Sequence, residues 1–166
     1  MKRYLIFAAY LPALVAQASV LPLLKLGGGE VNLILVLNVL AGLMAGPDIG
    51  AAAGFWGGLL VDLVTGRFLG LHALVGMATG YLAGAAGNRV YRNHFPVPSL
   101  VAAGGALFQE TMIWGFLRVF GLAVDPLGIL RIALPEALLA AVVIVPLAAW
   151  WGRFRREESD LRTAKF

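Results

Sequence analysis

Five charged side chains stand where an apolar sequence makes charge expensive: Asp62, Glu110, Arg118, Arg131 and Glu136. An ion at the centre of a membrane span costs about 2.5–3.5 kcal/mol, less near the interface, so such residues face protein or a wet cavity. A helix–helix clamp, a polar or ligand pocket and contact with a partner are the roles open to them. Counting from the outer ends of the spans puts Asp62, Arg118 and Arg131 on one level, roughly 5 Å inside the interface at the helical rise. Glu110 and Glu136 fall deeper, near the midplane. Two ionised carboxylates there repel unless one is protonated or a cation intervenes. The matched depths predict an outer network of Asp62 with Arg118 or Arg131.

Catalysis and metal binding are poorly supplied. His72 and His94 fall near opposite faces of the membrane, which leaves no paired histidine site. No Gly-rich phosphate loop ending in Lys-Ser or Lys-Thr occurs, and Ser19, Ser99 and Ser159 lack a local base and orienter. The absence of cysteine excludes disulfides, thiolate metal sites and cysteine nucleophiles. The expectation is a protein that is not an enzyme and carries no cofactor.

The elements that position these charges are written in hydropathy. With 60% hydrophobic and 13% charged residues among 166, the chain reads as a polytopic membrane protein. Six apolar blocks stand at Tyr4–Leu24, Val31–Ala45, Ile49–Thr65, Gly70–Val90, Pro98–Gly121 and Leu127–Trp151. They are separated by Gly27-Gly28-Gly29, Gly46-Pro47-Asp48, Gly66-Arg67, Asn93–Pro96 and Val124-Asp125-Pro126, all turn chemistry. The second and third blocks, about 22–26 Å long as helices, fall short of a ~30 Å hydrocarbon layer. They either recruit flanking residues or form re-entrant segments. The fold expected is an all-α bundle of about six transmembrane helices over residues 1–152, with a basic cytoplasmic tail at 153–166.

Lys2-Arg3, the apolar run and Ala16-Gln17-Ala18 mimic a secretory signal, but a run of roughly 20 residues is a full span and favours an uncleaved helix. With both termini cytoplasmic, that side holds Lys2, Arg3, Arg89, Arg92, Arg153, Arg155, Arg156, Arg162 and Lys165. Lys25, Arg67, Arg118 and Arg131 lie opposite, a bias that fits the orientation. The same placement explains the net charge of +4 by membrane lipid and not by nucleic acid.

Small residues recur at helical spacing on two consecutive spans. Gly46, Gly50, Gly54 and Gly58 lead every fourth residue to Asp62 and Gly66, and His72, Gly76, Gly80, Gly84 and Asn88 repeat the device. Such ridges let backbones approach and favour right-handed crossings near about −40°. The two ridges can mate with each other, or one of them can receive a partner's transmembrane helix.

The pattern Pro47-x-x-Gly50-x-x-x-Gly54-Phe55-x-x-Gly58-Leu59-x-x-Asp62-Leu63-x-x-Gly66-x-x-x-Gly70-Leu71-x-Ala73-Leu74, followed by Gly80-Tyr81-Leu82-x-Gly84, resembles the rod shape-determining MreD family. The resemblance implies a non-enzymatic scaffold of the bacterial elongation machinery in the cytoplasmic membrane. It implies binding to the single transmembrane helix of MreC, with links to MreB, RodA and a class B penicillin-binding transpeptidase, in support of lateral peptidoglycan synthesis and cell shape. At fold level the family is similar to the substrate-binding S-components of energy-coupling-factor vitamin transporters. Transport of a vitamin is therefore the alternative function. Retention of a vitamin on purification would favour transport, and co-purification of a MreC-like protein would favour the scaffold.

Overall fold

A computed structural model describes residues 2–19, 32–66, 68–90, 97–122 and 126–163. Among these residues the chain forms six helices and no strand: α1 (Lys2–Ser19), α2 (Leu33–Ala45), α3 (Pro47–Thr65), α4 (Leu71–Val90), α5 (Val97–Val119) and α6 (Pro126–Thr163). The expected blocks and the helices agree to within a few residues, except that α6 continues past position 152 to Thr163 without a break. By length and composition, Pro47–Thr65, Val97–Val119 and Leu130–Ala149 are long and apolar enough to cross a membrane. The glycine run at 27–29, Arg67 and the loop containing His94 lie outside the described residues.

The short α2 is the hub. Its 13 residues carry one polar side chain, Asn38, and nearly every position from Ile34 to Leu43 is buried, as expected of a helix that is apolar all round. Leu35, Val36, Val39, Leu40 and Leu43 pack with Ala83 of α4, Ala102 and Ala106 of α5, and Ala137, Ala140, Ile144 and Ala148 of α6. Alanine on the surrounding helices lets their backbones come close to the bulky central one, which is how packing is won where lipid supplies no hydrophobic push. On the other flank, Tyr10 of α1 joins Ile34, Ala41 and Ala53. Its hydroxyl donates to Asn38 Oδ1 at 2.7 Å. That bond satisfies both polar groups inside an apolar body.

A helix of 13 residues spans about 20 Å. It is closed at both ends by local chemistry. Asn32 Oδ1 accepts from the Leu35 amide at 3.0 Å, and Gln17 Oε1, reaching from α1, accepts from Ile34 N at 3.2 Å. At the other end Gly46, at φ 93, donates its amide to the Gly42 carbonyl and turns the chain directly into α3, whose first residue is Pro47. A left-handed φ suits glycine, and proline at the first helical position gives up an amide that has no partner there.

Candidate functional site

The two glycine ridges lie against each other. Gly50 meets Gly80, Gly54 meets Gly76, Gly58 meets His72, and Gly84 meets Pro47, so each step of four along α3 is answered by four back along α4. A Cβ on Gly76 would come within 2.5 Å of the Gly54 carbonyl oxygen, and one on Gly84 within 2.5 Å of the Pro47 Cα. Backbone therefore touches backbone along most of the hairpin. Gly42 of α2 joins this seam, since a Cβ there would lie 2.8 Å from the Gly84 amide nitrogen. Gly42 sits one four-residue step before Gly46, so the spacing that marks the ridge also reaches it. Gly57, on a neighbouring strip of α3, makes room for the Tyr10 ring.

Asp62 stands at the end of the seam where α3 turns into α4 and is fully buried. Its Oδ2 accepts from the amides of Gly70 at 2.9 Å and Ala73 at 3.1 Å. Its Oδ1 accepts from the His72 amide at 3.1 Å and from His72 Nδ1 at 2.7 Å. The first turn of a helix exposes amides that no carbonyl of that helix can reach, and in lipid no water is at hand to satisfy them. Here the cap comes from the preceding helix. Asp62 satisfies Gly70, His72 and Ala73, while the Leu71 amide donates to the Phe68 carbonyl at 3.4 Å. A carboxylate at this end also meets the positive pole of the α4 dipole.

Local sequence builds the turn that makes this possible. Gly66, at φ 64, closes α3 by donating its amide to the Asp62 carbonyl at 2.9 Å. Gly70, at φ 99, receives the Leu74 amide at 3.0 Å and starts α4. Phe68 in the same turn stacks on Phe120 beyond the end of α5, with ring centroids 5.8 Å apart.

The expected pairing of Asp62 with Arg118 or Arg131 is not what the fold provides. Arg118 is exposed and lies over the Trp114 ring, 5.1 Å from its centroid, and Arg131 is exposed on α6. The reason is one of competition: the start of α4 presents fixed, desolvated donors to Asp62, whereas the arginines sit on long stems that reach outward. Glu110 and Glu136 do lie beside each other, with Glu136 only 5% exposed.

Among the described residues, no group of three or more His, Asp or Glu side chains is arranged to hold a metal ion. The site is a structural lock: a carboxylate cap on the start of α4, a backbone seam along the α3–α4 hairpin, and a pair of neighbouring glutamates on α5 and α6. Tyr10, Asn38, Gln17 and Asn32 add polar contacts around α2. Of these, Asn32 and Asn38 carried a signal in the sequence, as the polar residues of the apolar block Val31–Ala45.

A family model described as rod shape-determining protein MreD matches residues 2–157 of the 166. No curated protein and no solved structure matches the chain. The matched region contains the whole glycine seam, the Asp62 cap and the Glu110–Glu136 pair, and the chain belongs to the MreD family of membrane proteins that determine rod shape.

Proposed function

We propose that this protein is a non-enzymatic scaffold of the bacterial elongation machinery that binds a MreC-like single-span protein and thereby supports lateral peptidoglycan synthesis. The observation that carries the reading is the use made of Asp62. The buried ion best placed to do chemistry has both oxygens committed to four hydrogens of the α3–α4 hairpin. A carboxylate so engaged fixes a shape.

The glycine seam is closed within the chain, so a partner helix meets the outward faces of a body that the seam holds rigid. Those faces carry large apolar side chains such as Trp56, Leu63 and Val64 on α3 and Leu134 and Leu138 on α6. In this reading all six helices cross or enter the cytoplasmic membrane as one bundle over residues 1–152, similar to the S-components of vitamin transporters. Both termini, and the basic tail at 153–166, face the cytoplasm. MreB, RodA and a class B penicillin-binding transpeptidase are reached through the same assembly.

The test is purification in mild detergent from cells that co-express a tagged MreC-like protein, with bound proteins and small molecules both identified. Stoichiometric recovery of the single-span partner supports the scaffold. Recovery of a vitamin without that partner overturns it in favour of transport.

A further inference from the structure

The fold leaves Arg118 and Arg131 over. Arg118 stands in the last turn of α5 and Arg131 near the start of α6. The two helices pack against each other across the short connection at 120–125, so both cations mark one end of the hairpin, the end opposite the basic tail. Both side chains are exposed, and neither has a hydrogen bond or ion pair with another described residue. The Arg118 guanidinium lies over the Trp114 ring, 5.1 Å from its centroid. A guanidinium held against a ring face still directs N–H groups outward, in a fork that matches phosphate.

We propose that Arg118 and Arg131 hold the phosphate of an anionic phospholipid whose acyl chain lies along α6. The first reason is charge. The arginines belong to the apolar spans Val97–Val119 and Leu130–Ala149, and an exposed cation in the end turn of a span reaches the headgroup layer. Two positive charges there, without an acidic partner among the described residues, call for an anion from outside the chain. The second reason is the surface beneath them. Leu134, Leu138 and Val142 follow Arg131 at spacings of three and four on one face of α6, and they are 49%, 67% and 69% exposed. From Arg131 to Val142 the helix rises about 16 Å, the depth of one leaflet of a ~30 Å hydrocarbon layer. A phospholipid carries its anion and its chain in that order and over that length.

Other acids answer this charge less well. Glu136 is buried, and Glu110 lies beside it. Asp125, in the connection between the helices, lies outside the described residues. An acidic protein segment would match the charge, but helices in lipid approach each other through small residues, and the column under Arg131 presents Leu, Leu and Val. The assignment goes beyond the scaffold reading and is independent of its partner. It gives this face of α6 to lipid and leaves that of α3, with Trp56, Leu63 and Val64, to a protein helix.

Trp114, under Arg118, supplies a local probe. Full-length protein with Trp56, Trp150 and Trp151 changed to Phe is placed in phosphatidylcholine nanodiscs. Quenching of Trp114 by phosphatidylglycerol brominated high on its acyl chains is compared with quenching by equally brominated phosphatidylcholine. At about fivefold for each arginine near a charged headgroup, phosphatidylglycerol is expected to be preferred by about fivefold to 30-fold. In R118Q/R131Q the preference falls to about one, whereas R153Q/R155Q/R156Q in the tail and D125N in the connection leave the quenching of Trp114 unchanged. Native mass spectrometry of the chain with all its tryptophans, reconstituted with the same two lipids, is expected to show a retained phosphatidylglycerol that R118Q/R131Q loses, with helix content checked by circular dichroism. Equal quenching by the two lipids when both arginines are present overturns the proposal, and so does a preference that survives R118Q/R131Q. Retention of an acidic protein segment by the two arginines, with no retained phosphatidylglycerol, also overturns it.

Discussion

Replacing Asp62 by Asn removes one acceptor oxygen and puts an NH2 group in its place. If the amide nitrogen takes the Oδ2 position, the Gly70 and Ala73 amides lose their acceptor; if it takes Oδ1, the His72 amide and ring lose theirs. Either way two buried donors are stranded against a third donor. At about 1–3 kcal/mol for each stranded group, the loss is about 2–6 kcal/mol, a large share of a typical total of about 5–15 kcal/mol. Side-chain rotation cannot relieve it, because the close contact of Gly58 with His72 lies one turn away and fixes the distance between the helices. The measurement is reversible unfolding in mixed micelles followed by tryptophan fluorescence, with helix content checked by circular dichroism. Arg118→Gln and Arg131→Gln serve as comparison, both expected within about 0.5 kcal/mol of the native protein as exposed substitutions. Two results would refute the reasoning: Asp62→Asn as stable as the native chain with unchanged helix content, or an arginine variant that costs as much as Asp62→Asn. The second would restore the arginine network in place of the cap.

Two further outcomes follow from the geometry. Alanine normally stabilises a helix relative to glycine by about 1 kcal/mol, and Gly104→Ala on α5, where a Cβ meets nothing within 4 Å, should show that gain. Gly54→Ala should have the opposite sign and cost about 1–3 kcal/mol, because its Cβ runs into the Gly76 carbonyl; equal effects at the two sites in an unfolding titration would refute the seam. Tyr10→Phe leaves Asn38 Oδ1 without its 2.7 Å donor and should cost about 1–3 kcal/mol, which the same titration reads; Tyr10→Phe at native stability would show the bond to be idle.

The sequence by itself determined where helices run and which positions on them are special. Hydropathy, glycine and proline breaks, and the four-residue spacing of Gly46 to Gly58 and of His72 to Gly84 are local properties that every conformation of the chain shares. Tertiary structure alone decided what each special position touches. Gly50 could serve a partner helix or Gly80 equally well until the antiparallel register of α3 and α4 was set, since a small residue looks the same from either side. Asp62 offered a charge, and depth alone matched it to Arg118 and Arg131. Its actual donors became available only once Gly66 and Gly70 folded the chain back and set the amides of His72 and Ala73 beside it. Likewise, the placing of Glu110 beside Glu136 depends on the relative height and rotation of α5 and α6. Those offsets are fixed by how side chains from different helices interlock across the interior, a property of no single segment.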